Sequence, residues 1–283
     1  MDTIKVLFAS AEVAPFAKVG GLGDVSGALP PALMDLSGGS LDLRLIMPFH
    51  AAVKKVNPPH RLIGNFSFEA NGRPIDCDLY VSEISGVPVY LLDNEFINHD
   101  SPVYHGDWTL DGLKYVTFSL AILEAARYLD WKIDILHAND WHTALAVYAL
   151  RSIYADDPFF AQVKTILSVH NLPFNGWGSQ EAMTSLGFEA GTDPDLPDWA
   201  KFTPLPLGLS AADKVIAVSP NYAREILTPE FGCGMDAYLQ KHADKVMGIL
   251  NGIDETKWDP STDTAISSNF SLENIEGKFK NKL

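Results

Sequence analysis

A chain of 283 residues is long enough for one large α/β domain, or for a domain and the start of another. Its net charge of −15 disfavours nucleic acid or an anionic membrane as partner, since both need a basic face, but not a neutral partner such as a polysaccharide. The two cysteines, Cys77 and Cys233, fit a reducing compartment and offer no zinc spacing, while 47% hydrophobic and 20% charged residues suit a packed core.

The apolar run Ile4 to Ala9 reads as a first strand. No basic leader or long apolar span accompanies it, so the expected location is the cytoplasm, or the plastid stroma if the source is a plant. Nine residues after its end comes Lys18-Val-Gly-Gly-Leu-Gly-Asp24, combining a cation, three glycines and a carboxylate. The glycines allow φ > 0 and close approach of a ligand to the backbone. Asp24 stands where the N-cap of a helix running to Leu36 would be. A lysine beside a helix N-terminus suits a phosphorylated ligand. A dinucleotide fingerprint is disfavoured, because Ser10 to Val19 separate the glycines from the strand. The second strand, Leu43 to Met47, also runs into Pro48-Phe49-His50 instead of an acidic residue.

Phe66 to Phe68, Cys77 to Val81 and Val87 to Leu92 read as hairpin strands around Gly72 and Ser85-Gly86. A long helix is predicted from Asp111, as N-cap, to Leu129, with apolar positions that imply burial on more than one side. Strands are predicted at Ile133 to His137, Lys164 to Val169, Lys214 to Val218 and Val246 to Leu250. Helices are predicted from Trp141 to Tyr154 and after Ser219-Pro220, which fit N-cap and N1. Strands that alternate with helices and are apolar on both faces imply α/β architecture around a doubly wound, mostly parallel sheet. Nothing after Leu250 builds a second core, and the chain is expected to divide into residues 1–250 and 251–283.

Four polar segments fall where such a sheet would place a site: the glycine loop, Ser101 to Asp107, His137 to His142, and Ser168 to Leu172. Asp140 has two open roles, as N-cap of the following helix or as a ligand-facing carboxylate. His137 and His142 lack the spacing and carboxylate of a zinc helix, so no metal is expected. His170 and Asn171 directly follow a strand, which favours a hydrogen-bonding pair facing a polar ligand over a core histidine. Trp141, Phe174 and Trp177 could stack on sugar rings or pack in the core. No Ser-His-Asp arrangement emerges, so the chemistry suggested is sugar and phosphate binding without a protein nucleophile.

Lys18-Val-Gly-Gly-Leu-Gly-Asp24, His137-Ala-Asn-Asp-Trp-His142, Ser168-Val-His-Asn171, Ala217-Val-Ser-Pro-Asn-Tyr-Ala-Arg224 and Leu250-Asn-Gly-Ile-Asp254 occur in that order. In this combination the chain resembles bacterial glycogen synthases and plant or cyanobacterial starch synthases, from Ile4 to about Trp258. The resemblance implies a Rossmann-like fold with a β-hairpin insertion, forming the N-terminal, acceptor-side half of a two-Rossmann-domain (GT-B type) enzyme. It implies a retaining glucosyltransferase that moves glucose from ADP-glucose to the non-reducing 4-hydroxyl of an α-1,4-glucan, without a cofactor or divalent metal.

By the same resemblance Asp140, His170 and Lys18 are the catalytic candidates. Lys18, Gly20, Gly21, Gly23 and Asp24 would face the donor diphosphate and acceptor end. Asn171 would sit beside the glucose subsite. Tyr104 and His105 match the family's Ser-Pro-Tyr-His segment, here with Val103 inserted, and Asn251 falls near the domain crossover. The family's second domain, which holds most of the nucleotide, is nearly absent before Leu283, so it is expected as a missing partner and the chain alone is expected to be inactive. The competing readings are a stand-alone glucan-binding or regulatory module, or a related glycosyltransferase using UDP-glucose.

Overall fold

The computed structural model describes residues 3–98 and 100–282. They form two compact units, residues 1–250 and residues 251–283; the end residues 1, 2 and 283 lie outside the described set.

The first unit follows one chain order. It runs β1 (Ile4–Ala9), α1 (Gly21–Leu36), β2 (Leu41–Pro48), α2 (Ala51–Val56), β3 (Arg61–Ala70), β4 (Arg73–Ile84) and β5 (Val87–Asn94). It continues through α3 (Trp108–Tyr128), β6 (Ile135–Asn139), α4 (Trp141–Ala149), β7 (Lys164–Val169), α5 (Gln180–Ser185) and α6 (Pro204–Ala211). β8 (Lys214–Ala217), α7 (Pro220–Glu225), α8 (Asp236–Lys241) and β9 (Val246–Gly248) complete it. Among the described residues one nine-stranded sheet holds every strand, in the order β3-β4-β5-β2-β1-β6-β7-β8-β9. From β5 to β9 all neighbours are parallel. The hairpin strands β3 and β4 extend it antiparallel beside β5.

Alternation along β1 distributes the core to both faces. Leu7 and Ala9 join one cluster with the apolar residues of α3 and α4. Val6 and Phe8 join a second, against which Leu29 and Leu33 of α1 pack. Helices therefore cover both sides, as a parallel sheet buried on two faces requires. α3 is sheathed in protein: its residues from Tyr115 to Leu123 are buried without interruption.

Several boundaries differ from the sequence expectation. α1 begins at Gly21 with Gly20 in the N-cap position, so Asp24 lies inside its first turn and is not the N-cap. α3 begins at Trp108, with Asp107 as N-cap, whose carboxylate accepts from the amides of Thr109 and Leu110. Asp111 is instead turned back to the amides of His105 and Gly106. β6 starts at Ile135, two residues late, and α4 ends at Ala149 in a series of turns. Ser219 does cap α7, accepting from the Tyr222 amide, with Pro220 at N1. β9 ends at Gly248.

The second unit holds the five-residue helix α9 (Glu276–Lys280) amid turns. It is stitched by side chains: Asn281 exchanges hydrogen bonds with the backbone of Ser268, and Asn269 donates to the carbonyls of Pro260 and Asp263.

Candidate functional site

The strand order reverses at β1, with β2 on one side and β6 on the other. In such sheets the crevice at the carboxyl ends of the strands is the place for a ligand. The segments following β1, β6 and β7 are the glycine loop, Asp140 and His170-Asn171.

Glu12 organises the glycine loop. It is 3% exposed, and its Oε2 accepts from the amides of Val19 (2.5 Å) and Gly20 (2.9 Å). Its Oε1 accepts from the Tyr104 hydroxyl at 2.5 Å, binding the Ser101 to Asp107 segment to the loop. Burial and the Glu12 carboxylate together hold the Tyr104 phenol far above its ordinary pKa, so it remains a donor. The Tyr104 ring stacks on His142 with centroids 5.1 Å apart. His105 donates its amide to Asp111 Oδ1 at 2.9 Å, and its Nδ1 lies 3.0 Å from the same oxygen.

Lys18 forms an ion pair with Asp24 at 2.7 Å, both side chains partly open to solvent. None of Gly20, Gly21 and Gly23 has left-handed backbone, contrary to the expected use of φ > 0. Their value is space. A Cβ on Gly20 or Gly21 would meet nothing within 4 Å, and one on Gly23 would lie 3.2 Å from Glu12 Oε2. The first turn of α1 is thus bare on the side of the exposed glycines.

Asp140 occupies the N-cap position of α4 but makes no capping bond. Its backbone sits at φ +55°, a left-handed conformation that costs a non-glycine residue about 1–3 kcal/mol. The strain aims the carboxylate across the sheet ends, where Oδ1 accepts from the amides of His170 (2.7 Å) and Asn171 (3.3 Å). Of the two expected roles, side-chain capping of α4 is therefore not the one Asp140 plays, since its carboxylate bonds to the His170 and Asn171 amides instead. Burial outweighs those two hydrogen bonds and pushes its pKa up to about 7.

Asn139 fixes the neighbouring imidazole. Its Nδ2 donates to the Ala9 carbonyl at 3.0 Å, so Oδ1 is the acceptor facing His170 Nε2, also at 3.0 Å. His170 therefore carries its proton on Nε2 and leaves Nδ1 as the acceptor. Burial lowers its pKa to about 4, keeping the ring neutral. The chain after Asn171 is held by Tyr222 of α7, whose hydroxyl accepts from the Leu172 amide at 2.9 Å.

The structure forms two bonded groups, one in which Glu12 ties Val19 and Gly20 of the glycine loop to Tyr104 beside the Lys18–Asp24 pair, and one in which Asp140 and Asn139 hold His170 and Asn171. The glycine loop follows β1, and Asp140 and His170 stand at the ends of the adjacent strands β6 and β7. Asn251 is exposed at the start of the second unit and is described with that unit alone. His137 is a core residue, bonded to Ser168 Oγ at 2.8 Å and edge-on to Phe8. Burial depresses His137 and His142 to about 3. Trp141 is buried against Tyr115, whereas Phe174 and Trp177 are more than half exposed. Among the described residues no group of His, Cys, Asp and Glu is arranged to hold a metal ion.

Sequence reasoning missed Glu12 and undervalued Asn139. A lone carboxylate in the otherwise apolar stretch from Phe8 to Ala17, apart from Ser10, was the available signal, since an unpaired buried charge is costly.

With this geometry in place, similarity identifies the class. The model of the starch synthase catalytic domain family matches residues 5–241, and the chain belongs to that family. It is 37% identical over 285 residues to glycogen synthase of Lacticaseibacillus casei, covering 99% of this chain and 58% of that protein. Identity to the Clostridium perfringens glycogen synthase is 37% over 290 residues, with the same two coverages. The catalytic domain of starch synthase IV from Arabidopsis thaliana, solved with ADP and acarbose, superposes with a TM-score of 0.85 at 27% identity. That match covers all of this chain and 58% of the plant chain. The present chain thus spans 58% of the length of these relatives. No helix among the described residues is long and apolar enough to cross a membrane.

Proposed function

We propose that this chain is the acceptor-side part of a retaining glucosyltransferase that moves glucose from ADP-glucose to the non-reducing 4-hydroxyl of an α-1,4-glucan. The observation that carries the reading is Asp140. A strained, buried carboxylate spans the ends of β6 and β7, one strand from an open glycine loop with a lysine. Family membership and the ADP and acarbose bound by the plant relative support the same assignment.

In this proposal Lys18 and the amides opening α1 compensate charge on the departing diphosphate. Asp140, His170 and Asn171 hold sugar hydroxyls, with Tyr104 and His105 on the acceptor side. Neutral His170 offers Nδ1 as an acceptor, and Asp140, near its midpoint at neutral pH, serves as donor or acceptor. The leaving phosphate accepts the acceptor's proton on the same face of the sugar, so no protein nucleophile is needed. Positioning and electrostatics would supply the rate. A second domain completes the nucleotide site, with residues 251–283 as the crossover and Asn251 near the cleft, and the cytoplasm is the proposed location.

The test joins this chain to the remaining part of the Lacticaseibacillus relative and follows ADP release from ADP-glucose with a maltooligosaccharide. Acceptor-dependent release that falls at least tenfold in Lys18→Ala supports the reading. Glucan binding without release, from a folded fusion, points to a binding module; release from UDP-glucose in preference points to the other donor.

A further inference from the structure

Lys114, near the start of α3, is fully buried. Its Nζ lies 2.9 Å from His50 Nδ1, 2.5 Å from the Pro102 carbonyl, 3.2 Å from the Val103 carbonyl and 3.2 Å from Ser101 Oγ. An ammonium has three donors, so four acceptors within reach use all of them. His50 Nε2 lies 2.8 Å from the Ala11 carbonyl and donates to it, which leaves Nδ1 as the acceptor toward Lys114. One cation thereby grips the chain just before Tyr104 and, through His50, the chain just before Glu12. Those two residues meet in the Tyr104–Glu12 bond, and Glu12 in turn holds the amides of Val19 and Gly20.

We propose that Lys114 and His50 are positioning residues of the candidate site: they set Tyr104 against Glu12, so the glycine-loop amides follow the protonation state of Lys114. Removing the proton takes one donor from a full set, and the loop before Tyr104 loses a tie.

Burial moves two groups in this neighbourhood toward neutrality, Lys114 and Asp140. Burial lowers Lys114 to about 7, opposed by Asp111 one turn back on α3. His50, at the start of α2, is held far below its ordinary value by burial and by Lys114, with smaller effects of His142 and His105. His142 of α4 is likewise neutral, and Tyr104 and Tyr115 are raised and stay protonated. Asp140 is the nearby competitor, since it is also raised to about 7 and is coupled to Glu12.

The importance of this clamp for catalysis rests on the proposed function, but its test needs no substrate and stands or falls separately. The 283-residue chain, labelled at lysine 13Cε and uniformly with 15N, is titrated by NMR from pH 5.5 to 9. Expected are a Lys114 midpoint near 7 and movement of the Val19 and Gly20 amide signals with that same midpoint, both retained in Asp140→Asn. In Lys114→Arg, whose charge does not titrate, the two amides should stay near their low-pH positions throughout. Amides that do not move through the Lys114 transition, or whose movement vanishes in Asp140→Asn or persists in Lys114→Arg, overturn the proposal. The native and Asp140→Asn titrations decide the matter if the arginine variant does not fold.

Discussion

Asp140 concentrates strain, burial and charge in one residue, which is the pattern of a group kept for function at the expense of stability. Its folded pKa of about 7 exceeds the ordinary carboxylate value, so the folded state binds more protons than the unfolded one between roughly pH 4 and 7. Its contribution to stability is therefore present at low pH and lost as pH rises through about 7. Asp140→Asn retains an oxygen for the amides of His170 and Asn171 without the charge. It should stabilise the chain by about 2 kcal/mol at pH 8 and by much less at pH 5, read from urea unfolding at both values. Equal effects at the two values would mean that the carboxylate is not held protonated. Glu12→Ala acts in the opposite direction. It leaves the amides of Val19 and Gly20 and the Tyr104 hydroxyl without an acceptor and should cost about 2–4 kcal/mol by thermal or urea melts.

Elements follow from pattern more readily than from their caps. Strand cores at Leu43 to Met47, Lys164 to Val169 and the hairpin were legible because β-branched and apolar runs are bounded by turn residues. The start of α3 was not, because Asp107 and Asp111 are both chemically fit to cap and only the folded loop decides between them. His105 and Gly106 claim Asp111, leaving Asp107 for the helix. Asp140 stayed open for a similar reason, since its positive φ and its bond to the His170 amide in place of a cap bond are tertiary outcomes. Close packing of α4 on α6 depends on Gly208, where an added Cβ would lie 2.6 Å from Ala144 Cβ and 2.8 Å from its carbonyl oxygen. Gly208→Ala should therefore destabilise the first unit by about 1–3 kcal/mol, despite the better helix propensity of alanine. An unchanged melting temperature would show that α6 shifts freely on α4.

The doubly wound architecture of the molecule was legible because strands and helices alternate, whereas the site was legible mainly as a set of motifs. Spacing located the segments after β1, β6 and β7, yet it could not supply Glu12 or Asn139, whose importance arises from contacts 92 and 130 residues away in sequence. In the proposed function, the chain's net charge of −15 is compatible with a neutral glucan, and an anionic donor would rely on the local cation Lys18. The switch point between β1 and β6, flanked by the glycine loop and Asp140, is where the end of the proposed glucan should lie. The most direct measurement is a titration of the 15N-labelled chain with maltoheptaose, recorded for the native sequence and for His170→Ala. The account predicts saturable shifts centred on Gly20 to Gly23, Tyr104 and Asp140 to Asn171, with affinity at least tenfold weaker in the variant. Shifts confined to residues elsewhere, or identical binding by His170→Ala, would contradict it.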